Sequence, residues 1–309
     1  MILTVTLNPA VDKTYTAGEL ITGHVNRMRT VMSIAGGKGI NVTKVLCQYG
    51  YPVCATGFLG GYAGNFIEDY LQSQHVMCKF VRVEGETRSN MNILADNGYV
   101  TEILEPGPNI DEEKQQKFLA QYEKLLPSCE LVVLSGSVAR GMPEDIYATL
   151  IEKARIRGIK TLLDTNGDSL RKGIAAKPYL IKPNQKELEY IVGHKLVKRE
   201  DVAEAALALQ TGGIAHVVVS MGKKGLLSVD GGKVFYARAG NVSVLNTVGC
   251  GDSVVASYAM SILKKEHNEK ALQKAVAISS ANATTLISGD IPQDTAEELL
   301  SQITVEQLR

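Results

Sequence analysis

The feature that most constrains the fold is a regular alternation of helical segments and short apolar strands in the second half of the chain. Strands are predicted at residues 131–135, 160–164, 179–182 and 215–220, with helical segments between them. Parallel neighbours need long crossovers, which are usually helices, and such sheets are covered on both faces, which explains their apolar strands. The pattern therefore predicts an α/β fold with a doubly wound, mostly parallel sheet flanked by helices.

Strand-like segments in the first half of the chain are arranged differently. Residues 2–7 predict a core strand, and β-rich pieces fall at about 10–35 and 85–104. Within the second piece, Asn97-Gly98 lies between two strand-like runs, 89–95 and 100–104, and is typical of a hairpin turn. Because the pieces are interleaved with the core and no linker separates them, we expect a single domain over residues 1–309 with an inserted β-sheet lid.

Charge and cysteine content exclude several classes of protein. The 33 basic and 33 acidic residues give a net charge of zero, and no basic cluster indicates binding to nucleic acid or to a membrane surface. The five cysteines contain no Cys-x-x-Cys pair, which argues against a zinc site or a disulfide framework and for reduced thiols. No apolar run reaches membrane-spanning length. We therefore expect a cytoplasmic protein that acts on small molecules.

The stretch 246–261 is the strongest candidate for the chemistry. Gly249 and Gly251 come just before an apolar, helix-compatible segment, which predicts a tight turn leading into a helix N-terminus. Free N–H groups and the positive end of the helix dipole favour an anion there. Asp252 would repel a bound phosphate unless it serves as general base for an attacking hydroxyl. The alternative is that Asp252-Ser253 is an ordinary helix cap.

A second glycine-rich loop, at 36–41, precedes a helical segment. Lys38 or Asn41 could hold a polar ligand such as a sugar, and the alternative is a flexible turn with a solvated lysine. The sequence contains no GxxxxGK[ST] and no GxGxxG motif, so a nucleotide would have to bind by another route.

Two further stretches could contact a nucleotide. Residues 184–187 place Asn184 and Glu187 on one face of a helix start, which suits water-mediated contact with Mg²⁺ or phosphate. The alternative there is a capping box formed by the same two side chains. Residues 220–225 leave a strand and could cradle phosphates or ribose, or could form only a turn.

Together these four stretches resemble the signature set of the PfkB (ribokinase-like) carbohydrate kinases. Gly-Gly-Lys-Gly-Ile-Asn at 36–41, Asn-x-x-Glu at 184–187, Ser-Met-Gly-x-x-Gly at 220–225 and Thr-Val-Gly-Cys-Gly-Asp-Ser at 247–253 occur in the family's order across nearly the whole chain. Thr-Leu-Asn-Pro-Ala-Val-Asp at 6–12 resembles the branch that contains 1-phosphofructokinase and tagatose-6-phosphate kinase. The resemblance implies a ribokinase-like fold with a small β-sheet lid.

The resemblance also implies a role for each matching residue. Asp252 would take the proton of the attacking sugar hydroxyl, and backbone N–H groups would hold the charge on the transferred phosphoryl group. Those N–H groups belong to Gly249, Cys250 and Gly251. The residues implied for ATP are Lys182, Asn184, Glu187, Ser220, Gly222, Gly225 and, near the adenine, Asn282, with Asn184 and Glu187 organising Mg²⁺ through water. The residues implied for the sugar phosphate are Asp12, Gly37, Lys38, Asn41, Ser137, Arg88 and, reaching from a neighbouring subunit, Arg27.

The activity implied is ATP-dependent phosphorylation of a ketohexose monophosphate. Fructose 1-phosphate, giving fructose 1,6-bisphosphate, is the first expectation, and tagatose 6-phosphate is the alternative. Arg88 would pair with the phosphate already on the sugar, since a guanidinium fork suits that group. A homodimer formed through the lid is also implied. The rival from another class is a sugar-phosphate sensor on the same fold that has no catalytic activity.

Overall fold

The computed structural model describes all residues, 1–309, and contains both α-helices and β-strands. In chain order the elements are β1 (Ile2–Thr6), β2 (Ala10–Ala17), β3 (Thr30–Gly36), α1 (Lys38–Gln48), β4 (Val53–Leu59), α2 (Gly61–Ser73), β5 (Met77–Arg82), β6 (Arg88–Ala95), β7 (Val100–Leu104), α3 (Glu112–Leu125), β8 (Leu131–Ser135), α4 (Ile146–Ile156), β9 (Lys160–Asp164), α5 (Gly167–Ala175), β10 (Leu180–Ile181), α6 (Gln185–Val192), α7 (Arg199–Thr211), β11 (His216–Ser220), β12 (Leu226–Asp230), β13 (Lys233–Ala237), α8 (Cys250–Leu263), α9 (Asn268–Asn282), α10 (Gln293–Gln302) and β14 (Val305–Gln307). No helix combines the length and apolarity needed to cross a lipid bilayer.

Ten strands form the main sheet, in the order β14-β13-β12-β11-β10-β9-β8-β1-β4-β5. The seven strands from β11 to β5 in this order pair in parallel, and β12, β13 and β14 extend the sheet by antiparallel pairing. The predicted mostly parallel α/β sheet is therefore confirmed. The edge strand β14 was not predicted, because its sequence Val-Glu-Gln has no apolar alternation.

Helices cover both faces of this sheet, as its apolar strands require. In β8, Val132 and Leu134 belong to one core cluster, whereas Leu131 and Val133 belong to the other. Buried side chains of α3 to α7 contribute to the first cluster, and those of α1, α8, α9 and α10 contribute to the second. Because successive side chains of a strand point to opposite faces, the core consists of two layers.

A second, four-stranded sheet has the order β3-β2-β6-β7, and we call these four strands the lid. Strands β2 and β6 pair in parallel, and the two outer pairs are antiparallel. Only three residues separate β1 from β2, and a single residue separates β3 from α1. The lid is therefore connected to the main sheet at the edge where β1 ends and α1 begins.

Candidate active site

The loop 246–251 leads into α8 and presents unpaired backbone donors. Gly249 lies in the left-handed region with φ of 86°, which places it at the N-cap of α8. The N–H groups of Gly249 and Gly251 have no acceptor within the chain, whereas Cys250 N donates to the carbonyl of Thr247 at 3.3 Å. Because the positive end of the helix dipole adds to these donors, the loop is suited to bind an anion. Of the three predicted donors, Cys250 is the one that is already engaged.

The back of this anion loop is held by Asn282. The Asn282 side chain is fully buried, and its amide nitrogen donates to the carbonyl of Val248 at 2.9 Å. Its oxygen accepts from the N–H of Gly289 at 2.9 Å and from the hydroxyl of Ser253 at 3.3 Å. In this structure the Asn282 side chain thus supports the anion loop, and its predicted position near the adenine stays a prediction.

Asp252 lies in the first turn of α8 with 5% of its surface exposed. Its Oδ2 accepts a hydrogen bond from the amide nitrogen of Asn41 at 2.8 Å. Burial and the nearby carboxylate of Asp164 raise the pKa of Asp252 to about 6, against the opposing effects of Lys38, Asn41 and Lys182. A carboxylate whose pKa lies just below 7 is ionised at pH 7 and is still basic enough to accept a proton, so it is suited to act as a general base.

Two lysines meet at the carboxylate of Asp164, at the end of β9. The ammonium groups of Lys38 and Lys182 lie 3.2 Å and 3.3 Å from the same oxygen, Oδ1. Although burial opposes its charge, the carboxylates around Lys38 raise its pKa, so it remains protonated. A Cβ placed on Gly251 would lie 3.3 Å from Lys182 Nζ, so this lysine borders the anion loop. From the sequence, Asp164 is expected at the carboxyl end of a strand, where ligands bind in such sheets, but no motif includes it and it had no assigned role.

Lid residues form the opposite wall of the site. Asp12 on β2 is 6% exposed and accepts a hydrogen bond at 2.8 Å from Asn90, its partner on β6. Burial raises the pKa of Asp12. Gly37 has φ of 95°, and a Cβ there would lie 3.1 Å from the backbone of Pro9. This close approach brings the predicted sugar loop against the start of β2, as a glycine permits.

Arg88 begins β6 and is held by backbone carbonyls. Its guanidinium donates to the carbonyl of Asn8 at 3.1 Å and 3.2 Å and to that of Glu105 at 3.2 Å. Of its five N–H groups, two remain, one on each terminal nitrogen. The side chain of Asn8 reaches the hydroxyl of Ser137 at 3.4 Å. The structure thus brings Arg88 and Ser137 to one corner of the site.

Arg27 is the predicted site residue that this single chain does not bring to the cluster. It lies in the exposed loop between β2 and β3, and its side chain makes no hydrogen bond or ion pair. A role in the site for Arg27 therefore needs a second copy of the chain.

Two separate cavities lie at the 222–224 turn, with volumes of about 440 Å³ and 580 Å³. Only the larger one adjoins Cys250 and Gly251 of the anion loop. Three of the predicted nucleotide contacts line this larger cavity, namely Ser220, Gly222 and Gly225. Its apolar walls come from residues that no motif predicted: Val242, Val244, Val276 and Ala283. A cavity with apolar walls next to an anion loop has the chemistry of a nucleotide site.

Asn184 and Glu187 form the capping box that was the alternative prediction. Asn184 Oδ1 accepts from Glu187 N at 2.9 Å, and Glu187 Oε2 accepts from Asn184 N at 2.8 Å. The other carboxylate oxygen of Glu187 has no partner, and Oδ2 of Asp164 is buried without one. No three His, Cys, Asp or Glu side chains are grouped to hold a metal directly. This donor set fits Mg²⁺ bound through its own waters.

The chain is similar to known carbohydrate kinases in sequence. The sequence model of the pfkB family of carbohydrate kinases matches residues 4–295. Tagatose-6-phosphate kinase of Staphylococcus epidermidis is 37% identical over 310 residues, which covers 99% of this chain and 99% of that enzyme.

Two solved structures share the architecture over nearly the full length. Phosphofructokinase-2 of Escherichia coli in complex with potassium is 27% identical with a TM-score of 0.90, over 97% of this chain and 98% of that one. A structure from Thermotoga maritima described as a possible 1-phosphofructokinase is 28% identical with a TM-score of 0.90, over 100% of both chains.

Proposed function

Since this chain belongs to the PfkB family of carbohydrate kinases, we propose that it transfers the γ-phosphoryl group of ATP to a free hydroxyl of a ketohexose monophosphate. It is a sugar-phosphate kinase. The observation that carries the proposal is Asp252, a buried carboxylate placed beside unpaired N–H groups at a helix N-terminus. A protein that only bound a sugar phosphate would gain nothing from a negative charge beside its anion site, which disfavours the sensor.

The reaction follows from this arrangement. Asp252 takes the proton of the sugar hydroxyl while the hydroxyl oxygen attacks the γ-phosphorus, and the bond to ADP breaks. The N–H groups of the anion loop, with Lys38 and Lys182, stabilise the charge on the phosphoryl oxygens. One N–H of Asn41 remains for a sugar hydroxyl, since only the other donates to Asp252. Asn184 and Glu187 would hold Mg²⁺ through water, and the ion would supply charge neutralisation for the phosphates of ATP.

Two sugar phosphates fit the site. Fructose 1-phosphate is the substrate expected from the sequence, and the tagatose-6-phosphate kinase that is 37% identical supports tagatose 6-phosphate equally. In both molecules a phosphate and a free primary hydroxyl lie at opposite ends of the ketose. The same arrangement, with Arg88 at the phosphate and Asp252 at the hydroxyl, therefore accommodates either one.

A coupled assay of ADP release tests the proposal. Fructose 1-phosphate, tagatose 6-phosphate and fructose 6-phosphate are compared side by side with ATP and Mg²⁺, and kcat/KM ranks them. Turnover of either of the first two with transfer to the sugar supports the kinase. Binding of a sugar phosphate without turnover of any of the three would favour the sensor instead.

Replacing Arg88 with methionine should raise the KM for the sugar phosphate by roughly 10- to 100-fold and change the KM for ATP less than twofold. A charge-assisted hydrogen bond contributes about 1.5–3 kcal/mol, which gives this magnitude. Steady-state kinetics with each substrate varied measures the effect. Arg82→Met is the matched control, because Arg82 lies at the far edge strand β5 and pairs with Glu68. Equal changes in both KM values would indicate that Arg88 only supports the fold.

The lid is proposed as the contact between two copies of the chain. Its outer strands expose large apolar side chains, with Val31, Val100 and Leu104 each about 60% exposed. Large apolar side chains exposed on both outer strands of one small sheet support an interaction site there. Pairing of two lids would also bring the partner's loop between β2 and β3 towards the site. Light scattering should give about twice the 33.3 kDa of one chain, and a monomer at assay concentration would refute the pairing.

The free thiols support a cytoplasmic location. All five cysteines are unpaired, including Cys54 and Cys129, which are buried. Reduced cysteines are the usual state in the cytoplasm. Localisation of a fluorescent fusion in the source cell tests this placement, and secretion of the fusion would contradict it.

A further inference from the structure

Lys44 is a buried cation that none of the sequence motifs selects. It lies on α1 with 5% of its surface exposed, and its ammonium group faces three oxygen acceptors. Nζ donates to the carbonyl of Ala35 at 3.2 Å, to the amide oxygen of Asn41 at 3.3 Å and to the carbonyl of Ser288. An ammonium group has three N–H donors, so each acceptor uses one of them.

These three acceptors belong to different parts of the active site. Ala35 is the next-to-last residue of β3, immediately before the sugar loop. Asn41 donates to the base, Asp252. Ser288 precedes Gly289, whose N–H bonds to the side chain of Asn282 behind the anion loop. One ammonium group therefore connects the sugar loop, the base and the support of the anion loop.

The contact with Asn41 fixes which way its amide faces. The oxygen of that amide accepts from Lys44 and, at 3.3 Å, from the hydroxyl of Ser288. Its nitrogen is thereby directed at Asp252. If the amide turned over, its oxygen would face the carboxylate and its nitrogen would face the ammonium group, and both contacts would be repulsive. Lys44 thus selects the orientation in which Asn41 can donate to the base.

The charge of Lys44 is buried at a cost in solvation. Desolvation lowers the pKa of Lys44 to about 8, although three carboxylates act in the opposite direction. They are those of Asp12 on β2, Asp252 on α8 and Asp290 after α9, and the ring of Tyr70 on α2 lies 5.9 Å from Nζ. An apolar side chain here would leave the three buried oxygens without a donor, so it is the hydrogen bonds of Nζ that favour a lysine at this position.

We propose that Lys44 is a positioning residue for phosphoryl transfer. Its three hydrogen bonds fix the relative positions of three parts of the site: the sugar loop, the Asn41 amide at the base, and the support of the anion loop. The inference rests on the proposed kinase function. It assigns Lys44 no contact with either substrate. When the ammonium group loses a proton, two donors remain for three acceptors, so one hydrogen bond is lost and the three parts are held less firmly.

Lys44→Met and Lys44→Arg test this role against the matched control Lys264→Met. Lys264 also lies over a tyrosine ring, 5.8 Å from the centre of Tyr51, but it is exposed and remote from the site. We expect Lys44→Met to lower kcat about 10- to 100-fold, measured well below its lowered melting temperature, with the KM for ATP changed less than twofold. Lys264→Met should keep wild-type kcat.

The pH dependence of kcat separates positioning from a role in folding. The wild type should lose activity above about pH 8, where the Lys44 ammonium group loses its proton. Lys44→Met has no such group and should lack this alkaline limb. Lys44→Arg stays charged and should keep its residual activity to higher pH. A kcat for Lys44→Met within twofold of wild type, or an unchanged limb in either variant, would overturn the inference. Insolubility of both variants would assign Lys44 to folding and overturn it too. Absence of wild-type turnover with every sugar phosphate would instead refute the proposed function, and the inference would fall with it.

Discussion

Replacing Asp252 with asparagine should lower kcat by roughly 10²–10⁴-fold and leave the KM for ATP nearly unchanged. Asparagine keeps the shape and leaves Asn41 with an acceptor, but no group remains to take the proton of the hydroxyl. For the same reason, kcat of the wild type should fall about tenfold per pH unit below pH 6, because burial and the charge of Asp164 raise the pKa of Asp252 to about 6. The residual activity of the variant should lack this acid limb.

The same substitution should stabilise the folded protein at neutral pH. The pKa of Asp252 in the folded protein, about 6, exceeds its ordinary value of 3.8, so the folded state binds more protons between these two pH values. The contribution of Asp252 to the free energy of unfolding is therefore fully present below pH 4 and is lost as the pH rises through 6. At pH 7 the buried, ionised carboxylate costs on the order of 3 kcal/mol. Asparagine removes most of that cost.

Kinetics and thermal unfolding at pH 5 and pH 8 measure both effects. Asp294→Asn is the matched control, because Asp294 is also a first-turn carboxylate, of α10, but is exposed. Full turnover of Asp252→Asn would mean that another group is the base. A variant less stable than wild type at pH 8 would mean that Lys38, Lys182 and Asn41 stabilise the carboxylate more than its burial penalises it.

Replacing Gly249 with alanine should lower kcat by roughly 10²–10³-fold, as expected when a donor that stabilises the transferred group is misplaced. Gly249 has φ of 86°, where a non-glycine residue is strained by about 1–3 kcal/mol. An added Cβ would lie 2.9 Å from Gly289 N and 3.1 Å from Asn282 Oδ1. The anion loop would have to move away from its support, and its N–H groups would move with it.

Gly158→Ala is the control that has the backbone strain of an alanine at positive φ but does not displace the anion loop. Gly158 follows α4 with φ of 71°, and a Cβ there meets nothing within 4 Å. Both variants should unfold at a lower denaturant concentration than wild type, whereas only Gly249→Ala should lose turnover. Equal kinetics for the two variants would show that the anion loop tolerates the methyl group and would contradict the role of Gly249.

Much of the fold was predictable because its determinants are local. Apolar runs such as 131–135 and 160–164 predict buried strands, and helical segments between them leave few arrangements other than a parallel sheet. The same reasoning failed at β14, whose residues Val305–Gln307 join the sheet by pairing with β13 and carry no strand pattern of their own. Whether such an edge segment forms a strand depends on its pairing with a strand that is distant in sequence, and a short stretch of sequence does not reveal that pairing.

The site was predictable only where a motif concentrates its residues. Asp252, Lys38 and Lys182 stand in or beside such stretches, and the structure gathers them at one end of the sheet. Lys44 was missed, and Asp164 was placed at the correct edge of the sheet without a role, because their contacts are with residues more than 100 positions away, such as Ser288 and Lys38.

The division of the site between two sheets has a consequence for how the enzyme would discriminate against water. Asp12 and Arg88 belong to the lid, whereas Asp252 and the anion loop belong to helices packed on the main sheet. With the proposed roles of Arg88 and Asp252, a sugar phosphate would link these two sheets noncovalently, held by its phosphate at one end and by its hydroxyl at the other. A water molecule can occupy the position of the hydroxyl but cannot join the two sheets, so selectivity against ATP hydrolysis would arise from the span of the acceptor rather than from its nucleophilicity.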